Sequence, residues 1–156
     1  MIIYHLHSLQ VIKDLGKFKK KKNMGGTINK KKKEKIKNCV SWFEIPAINF
    51  QQSVDFYNAI FGFEMEKNFD GNYAMAFFPA DKGIGGAIVA GPGSTPGDSG
   101  PLIYLNAGED LNIVLDRVVS AGGRIVMPKT LINEESGHFA IFIDSEGNKL
   151  ALHSKK

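Results

Sequence analysis

The sequence predicts an α+β fold: two tandem βαβββ units whose curved mixed sheets enclose a central cavity, with the helices outside. Three observations lead there. Short apolar runs with two-residue alternation mark eight strands. Two amphipathic stretches, one in each half, carry apolar side chains at helical spacing and stop at glycine. The order strand, helix, three strands then occurs twice, with Asn49 and Asp110, and likewise Trp42 and Ile103, 61 positions apart. A unit repeated inside one chain is one that cannot bury its apolar face alone and needs a second copy.

The first strand, VSWFEIP (40–46), sends Trp42, Glu44 and Pro46 to one face and Phe43 and Ile45 to the other. Asn49 offers an N-cap, and Gln52 three positions on can complete a capping box. Val54, Tyr57, Ile60 and Phe61 form the buried stripe of a helix that Gly62 ends. That stripe should cover Phe43 and Ile45, leaving Trp42 and Glu44 on the opposite side of the sheet. Residues 63–69 and 72–79 read as strands around Asp70-Gly71, a tight-turn dipeptide. The adjacent Phe77 and Phe78 must send one ring to the core and one to the cavity. Residues 84–90 give a fourth strand, and Gly83, Gly85 and Gly86 signal a turn and close strand packing. Glycine and proline then crowd residues 91–101, the composition of a flexible loop.

The pattern begins again with a strand at 102–107. Asp110 is the second N-cap, and Leu111, Val114, Leu115 and Val118 form a stripe that ends at Gly122-Gly123. Residues 124–130, 138–143 and 149–153 supply the last three strands. The boundaries that follow are 1–38 for a basic extension expected to be disordered and 39–156 for the folded body. Within the body, unit one spans about 39–90, a linker 91–100, and unit two about 101–154.

Charge divides the chain in the same place. The net +4 hides twelve lysines against Asp14 and Glu34 in residues 1–38, a net of +10, and a body of −6. An acidic body disfavours phosphate backbones, so nucleic acid is expected only through the lysine-rich extension. Met24 stands there as an alternative start of translation. Residues 1–12 carry His5, His7 and Gln10 without a basic leader or a small-residue cleavage site, so they do not read as a signal peptide. The single cysteine, Cys39, fits a reducing compartment, and no apolar run approaches the roughly 20 residues that cross a bilayer. The expectation is a cytoplasmic protein without a membrane partner.

Four stretches in this order carry a resemblance: VSWFEIP, QSVDFYNAIFGF (52–63), DLNIVLDRVVSAGG (110–123) and IDSEGNKLALH (143–153). Over residues 40–154 the chain resembles the vicinal oxygen chelate superfamily of glyoxalases, bleomycin-resistance proteins and extradiol dioxygenases. The resemblance implies the fold described above and, commonly, a homodimer. It also implies metal ligands at inward positions of the first strand of each unit, of the strand closing the first unit, and of the last strand. Those positions fall on Trp42, Ile103, the run IGGAIVA (84–90) and Ala151. None offers the His, Asp, Glu or Cys donor a divalent metal needs, so neither a metal nor another cofactor is expected.

Polar groups near the cavity are few. Glu44 shares the parity of Trp42, and His153 that of Ala151. Where their strands adjoin, the pair is either a polar anchor or carboxylate-imidazole acid/base couple for a ligand, or a hydrogen-bonded pair at the rim. His138 is a further candidate at the cavity mouth or an exposed loop histidine. With Trp42, Ile103, Leu105 and Ala151 as walls, the leading expectation is an apolar cavity binding a small organic molecule. A lyase, isomerase or dioxygenase using a displaced metal or the Glu44–His153 pair is the alternative, and an interaction protein acting through the lysine-rich extension a third.

Overall fold

A computed structural model describes residues 38–156, and each strand and helix expected there is present. In chain order these are β1 (Trp42–Ala47), α1 (Phe50–Phe61), β2 (Glu66–Asp70), β3 (Tyr73–Phe77), β4 (Gly85–Ala90), β5 (Tyr104–Asn106), α2 (Asn112–Val118), β6 (Arg124–Asn133), β7 (Gly137–Ile143) and β8 (Lys149–Ser154). The expectations for the extension, its disorder and the start at Met24 among them, fall outside the described residues.

Each unit makes one four-stranded mixed sheet. The first has the order β1-β4-β3-β2 and the second β5-β8-β7-β6, each with one parallel pair, β1 with β4 and β5 with β8. The two sheets stay separate and unclosed. One hydrophobic core takes Ile45, Ile88, Val54, Phe56, Tyr57 and Ile60 from the first unit and Leu105, Val114, Leu115, Phe142 and Leu152 from the second. Phe56 of α1 stacks on Phe142 of β7 at 6.1 Å between ring centroids. The helix-side faces of both sheets are thus joined by packing, and the helices leave the face of Trp42 bare.

Local chemistry explains the helix ends. The Asn49 side chain accepts from the Gln52 N–H at 3.2 Å, and Gly62 closes α1 in the left-handed region at φ 73°. The expected capping box is not completed, because the backbone N–H groups of Ile48 and Asn49 both donate to Glu146 Oε2, at 2.8 and 2.9 Å. The second unit supplies the cap that the first was expected to make for itself. At α2 the cap position falls on Leu111, which makes no side-chain cap bond, rather than on the expected Asp110; the Asp110 carboxylate instead accepts from the Asn112 N–H at 3.0 Å and from Lys129 Nζ at 2.9 Å. These bonds, the backbone one foremost, hold its carboxyl below its usual range.

Glu146 belongs to the turn before β8, and that turn clasps the two units. Asp144, 3% exposed, accepts from Tyr57 Oη at 2.8 Å, from the N–H groups of Glu146 and Asn148 at 2.9 and 2.8 Å, and from Asn148 Nδ2 at 2.9 Å. The Asn148 amide also donates to the Pro46 carbonyl at 2.8 Å and accepts from the Gly97 N–H at 3.0 Å. Burial, then the charge and hydrogen bond of Asp144, push the Tyr57 phenol well above its ordinary value.

Candidate functional site

Two open sheet faces carry the candidate residues. On the first, Trp42 lies across Gly85, where a Cβ would come within 2.9 Å of the indole. Its Nε1–H donates to Glu44 Oε1 at 3.3 Å, and its ring stands 6.1 Å from that of Phe77. Phe77 is thus the ring that joins the open face. Phe78 packs into the core against Phe43, Tyr57 and Phe63. Register places Met75 opposite Val89 and Phe77 opposite Ala87, completing an apolar floor beside the exposed Glu44 carboxylate.

The second face corrects the sequence reading by one residue. Tyr104 pairs with Ala151, Leu105 with Leu152, and Asn106 with His153. Leu105 and Leu152 belong to the core and Ile103 packs against it, so Ile103 and Leu105 do not share the face of His153. Tyr104 and Asn106 do. The 61-residue spacing aligned the two expected helix caps, whereas the buried Ala47, at the end of β1, and Ala107, just past β5, lie 60 apart. The connection from β5 to α2, residues 107–111 with Gly108 at φ 76°, is longer than the 48–49 connection from β1 to α1, so a spacing taken between helices does not fix strand parity, and an odd shift turns every side chain to the other face. The segment LIYLNA held the signal, since Ile103, Leu105 and Ala107 alternate with the more polar Tyr104 and Asn106.

The remaining candidates separate. The Ala151 methyl lies between Tyr104 and Ile141 in register and is fully buried. His153 is half-buried, with Nε2 2.7 Å from the Ser136 carbonyl. His138 pairs with Ser154 and shares the parity of Ala140 and Phe142, the core-facing side of β7, with a buried Nδ1 that has no hydrogen-bond partner among the described residues. It therefore sits on the opposite face of the sheet from His153. Glu44 and His153 stand on different sheets, each with another hydrogen-bond partner, and no hydrogen bond or ion pair among the described residues joins them.

Tyr104, Asn106, Gly108, His153, Ser154 and Lys155 line an open hollow of ≈650 Å³. A second hollow, ≈540 Å³, runs along the outside of α1 past Gln52, Asp55 and Ala121 and contains none of the expected residues. Among the described residues no three His, Cys, Asp or Glu side chains gather where an ion could sit. At the positions where the resemblance implies ligands, the open faces offer indole, phenol, methyl and glycine, and this set does not fit a divalent metal.

Two βαβββ units with parallel closing strands and an open face in each define a chain of the glyoxalase-like fold class. The sequence pattern of the Glyoxalase/Bleomycin resistance protein/Dioxygenase superfamily matches residues 40–152, and the chain belongs to that superfamily. Among solved structures, glyoxalase I from Zea mays superposes with a TM-score of 0.59 at 17% identity, over 74% of this chain and 44% of that one. A glyoxalase/bleomycin resistance protein from Streptomyces sp. CB03234 gives 0.58 at 20% identity, over 74% and 99%. TnmS3, an antibiotic binding protein from the same organism, gives 0.52 at 22% identity, over 76% and 97%. No curated protein matches the chain.

Proposed function

We propose that this protein binds a small organic molecule against the open faces of its sheets, by aromatic and apolar contact with a few polar anchors and without a metal at the superfamily's usual positions. One observation carries the reading: Trp42, Phe77, Met75 and Val89 form an apolar floor with Glu44 as its polar edge, on a face that no helix covers. A fold neighbour described as an antibiotic binding protein is in keeping with it. We further propose a homodimer in which a second copy covers these faces, so that a ligand is held between two walls rather than on one. Binding sites that retain drug-sized molecules bury most of the ligand surface, which a single open sheet does not do.

The test uses the chain's sole tryptophan. Its fluorescence should respond, saturably, to members of a panel of planar aromatic and polycyclic antibiotics, and Trp42→Phe should abolish the signal while calorimetry still detects weakened binding. Silence across the panel by both methods would overturn the reading. Stoichiometric zinc, nickel, manganese or iron in untagged protein, lost in Glu44→Ala or His153→Ala, would replace it with a metal-dependent lyase, isomerase or dioxygenase.

A further inference from the structure

We infer that Asn106 and His153 form a donor–acceptor pair that reads the edge of a planar ligand on which a carbonyl oxygen adjoins an N–H or O–H, such as a lactam or a hydroxy-ketone. The inference rests on the small-molecule reading above and assigns the chemistry of one wall. Its basis is which atoms are already occupied. The Ser136 carbonyl can only accept, so the Nε2 of His153, 2.7 Å away, must carry the proton. In the neutral ring Nδ1 is then a lone pair. Among the described residues it has no hydrogen-bond partner, and it is not closed off from solvent. The Gly108 N–H donates to Asn106 Oδ1 at 2.9 Å, which orients the amide and leaves the Nδ2 hydrogens without a partner among the described residues.

These two groups stand side by side. Asn106 and His153 are register partners on parallel strands, on the same face, and neighbouring strands lie about 4.8 Å apart. The hollow therefore presents one donor beside one acceptor, and the complement is a ligand edge with one acceptor beside one donor. Tyr104, two residues before Asn106 on that face and 6.2 Å from the Phe139 ring, supplies an aromatic wall for the plane of the ligand. Lys155 is the one formally charged side chain lining the hollow, and its ammonium is bonded to the Glu135 carbonyl. The free groups of Asn106 and His153 match a donor–acceptor edge, with the positive charge of Lys155 beside it.

The probe is 2-quinolone, a planar bicyclic lactam, titrated into the isotope-labelled full chain and followed by NMR of the imidazole nitrogens and side-chain amides. Signals of His153 and Asn106 should move together and saturate. Binding should weaken at least tenfold for N-methyl-2-quinolone, which lacks the N–H. It should weaken similarly in Asn106→Asp, which keeps the bond from Gly108 but replaces the donor with an acceptor. Equal binding of the two probes, or shifts confined to Trp42 and its neighbours, would overturn the edge reading while leaving small-molecule binding in place. No response anywhere at millimolar probe would count against both.

Discussion

Asp144 is where removing one atom group should cost most. Its two oxygens receive four hydrogen bonds at 2.8 to 2.9 Å while the residue is 3% exposed. Asp144→Ala would strand the Tyr57 hydroxyl and the Asn148 N–H without partners in a buried site, and each orphan costs about 1–3 kcal/mol. A loss of about 3 kcal/mol or more is expected in urea unfolding; a loss below about 1 kcal/mol would show that the clasp is not a stabilising feature. Tyr57 adds a pH dependence whose sign follows from its raised pKa. Above about pH 10 the unfolded phenol gives up its proton while the folded one keeps it, so stability falls as pH rises, by at most about 1.4 kcal/mol per unit. That slope should be present in the parent and reduced in Tyr57→Phe, measured in urea from pH 8 to 11. The sequence displayed the Asp144, Gly147 and Asn148 turn plainly as a motif. Its role as a clasp was not legible, because its partners Tyr57, Pro46 and Gly97 lie 51 to 102 positions away.

At the scale of elements, β4 is shaped by the aromatic pair on β1. Trp42 and Phe43 point to opposite faces, and each ring lies over a glycine on the neighbouring strand, Gly85 and Gly86. A Cβ on Gly86 would meet three carbons of the Phe43 ring, which is itself packed against Phe78 at 5.5 Å. Gly86→Ala should therefore cost about 1–3 kcal/mol, the usual range for overpacking, whereas Gly100→Ala, with nothing within 4 Å, should be near neutral. Thermal unfolding of the two variants checks this, and equal midpoints would refute the ring-over-glycine account. Elements of this kind were readable because local alternation and helical spacing survive in both units. The face of β5 was not, since side-chain direction in a strand depends on an odd or even count through the longer 107–111 connection, and a repeat distance taken from expected helix caps carries no such count.

For the whole molecule, the described core draws only on residues 43–152, so a chain beginning at Asn38 should unfold at the same midpoint as the full chain while losing the +10 of its basic extension. A lower midpoint would mean that the extension contributes to folding. Association is the larger question at this scale. With both helix-side faces committed to one core, the open faces are left for the proposed second copy, and on them Tyr104 is 51% and Met127 37% exposed. A specific interface needs about 800 Å² from each partner, more than two such side chains supply, so the contact of the proposed dimer would extend along a sheet face rather than sit at a point. Met127 pairs with Ile141, on the side of β7 that carries Phe139, and so lies within that face. In the proposed dimer, and only there, a charge at this position would desolvate an unpaired ammonium, because in the lone chain the position stays in water. Met127→Lys should therefore leave the unfolding midpoint at low protein concentration unchanged and raise the dimer dissociation constant at least tenfold in sedimentation velocity. A parent chain that sediments as a monomer at hundreds of micromolar would remove the second wall, and with it the expectation that ligand affinity rises with protein concentration.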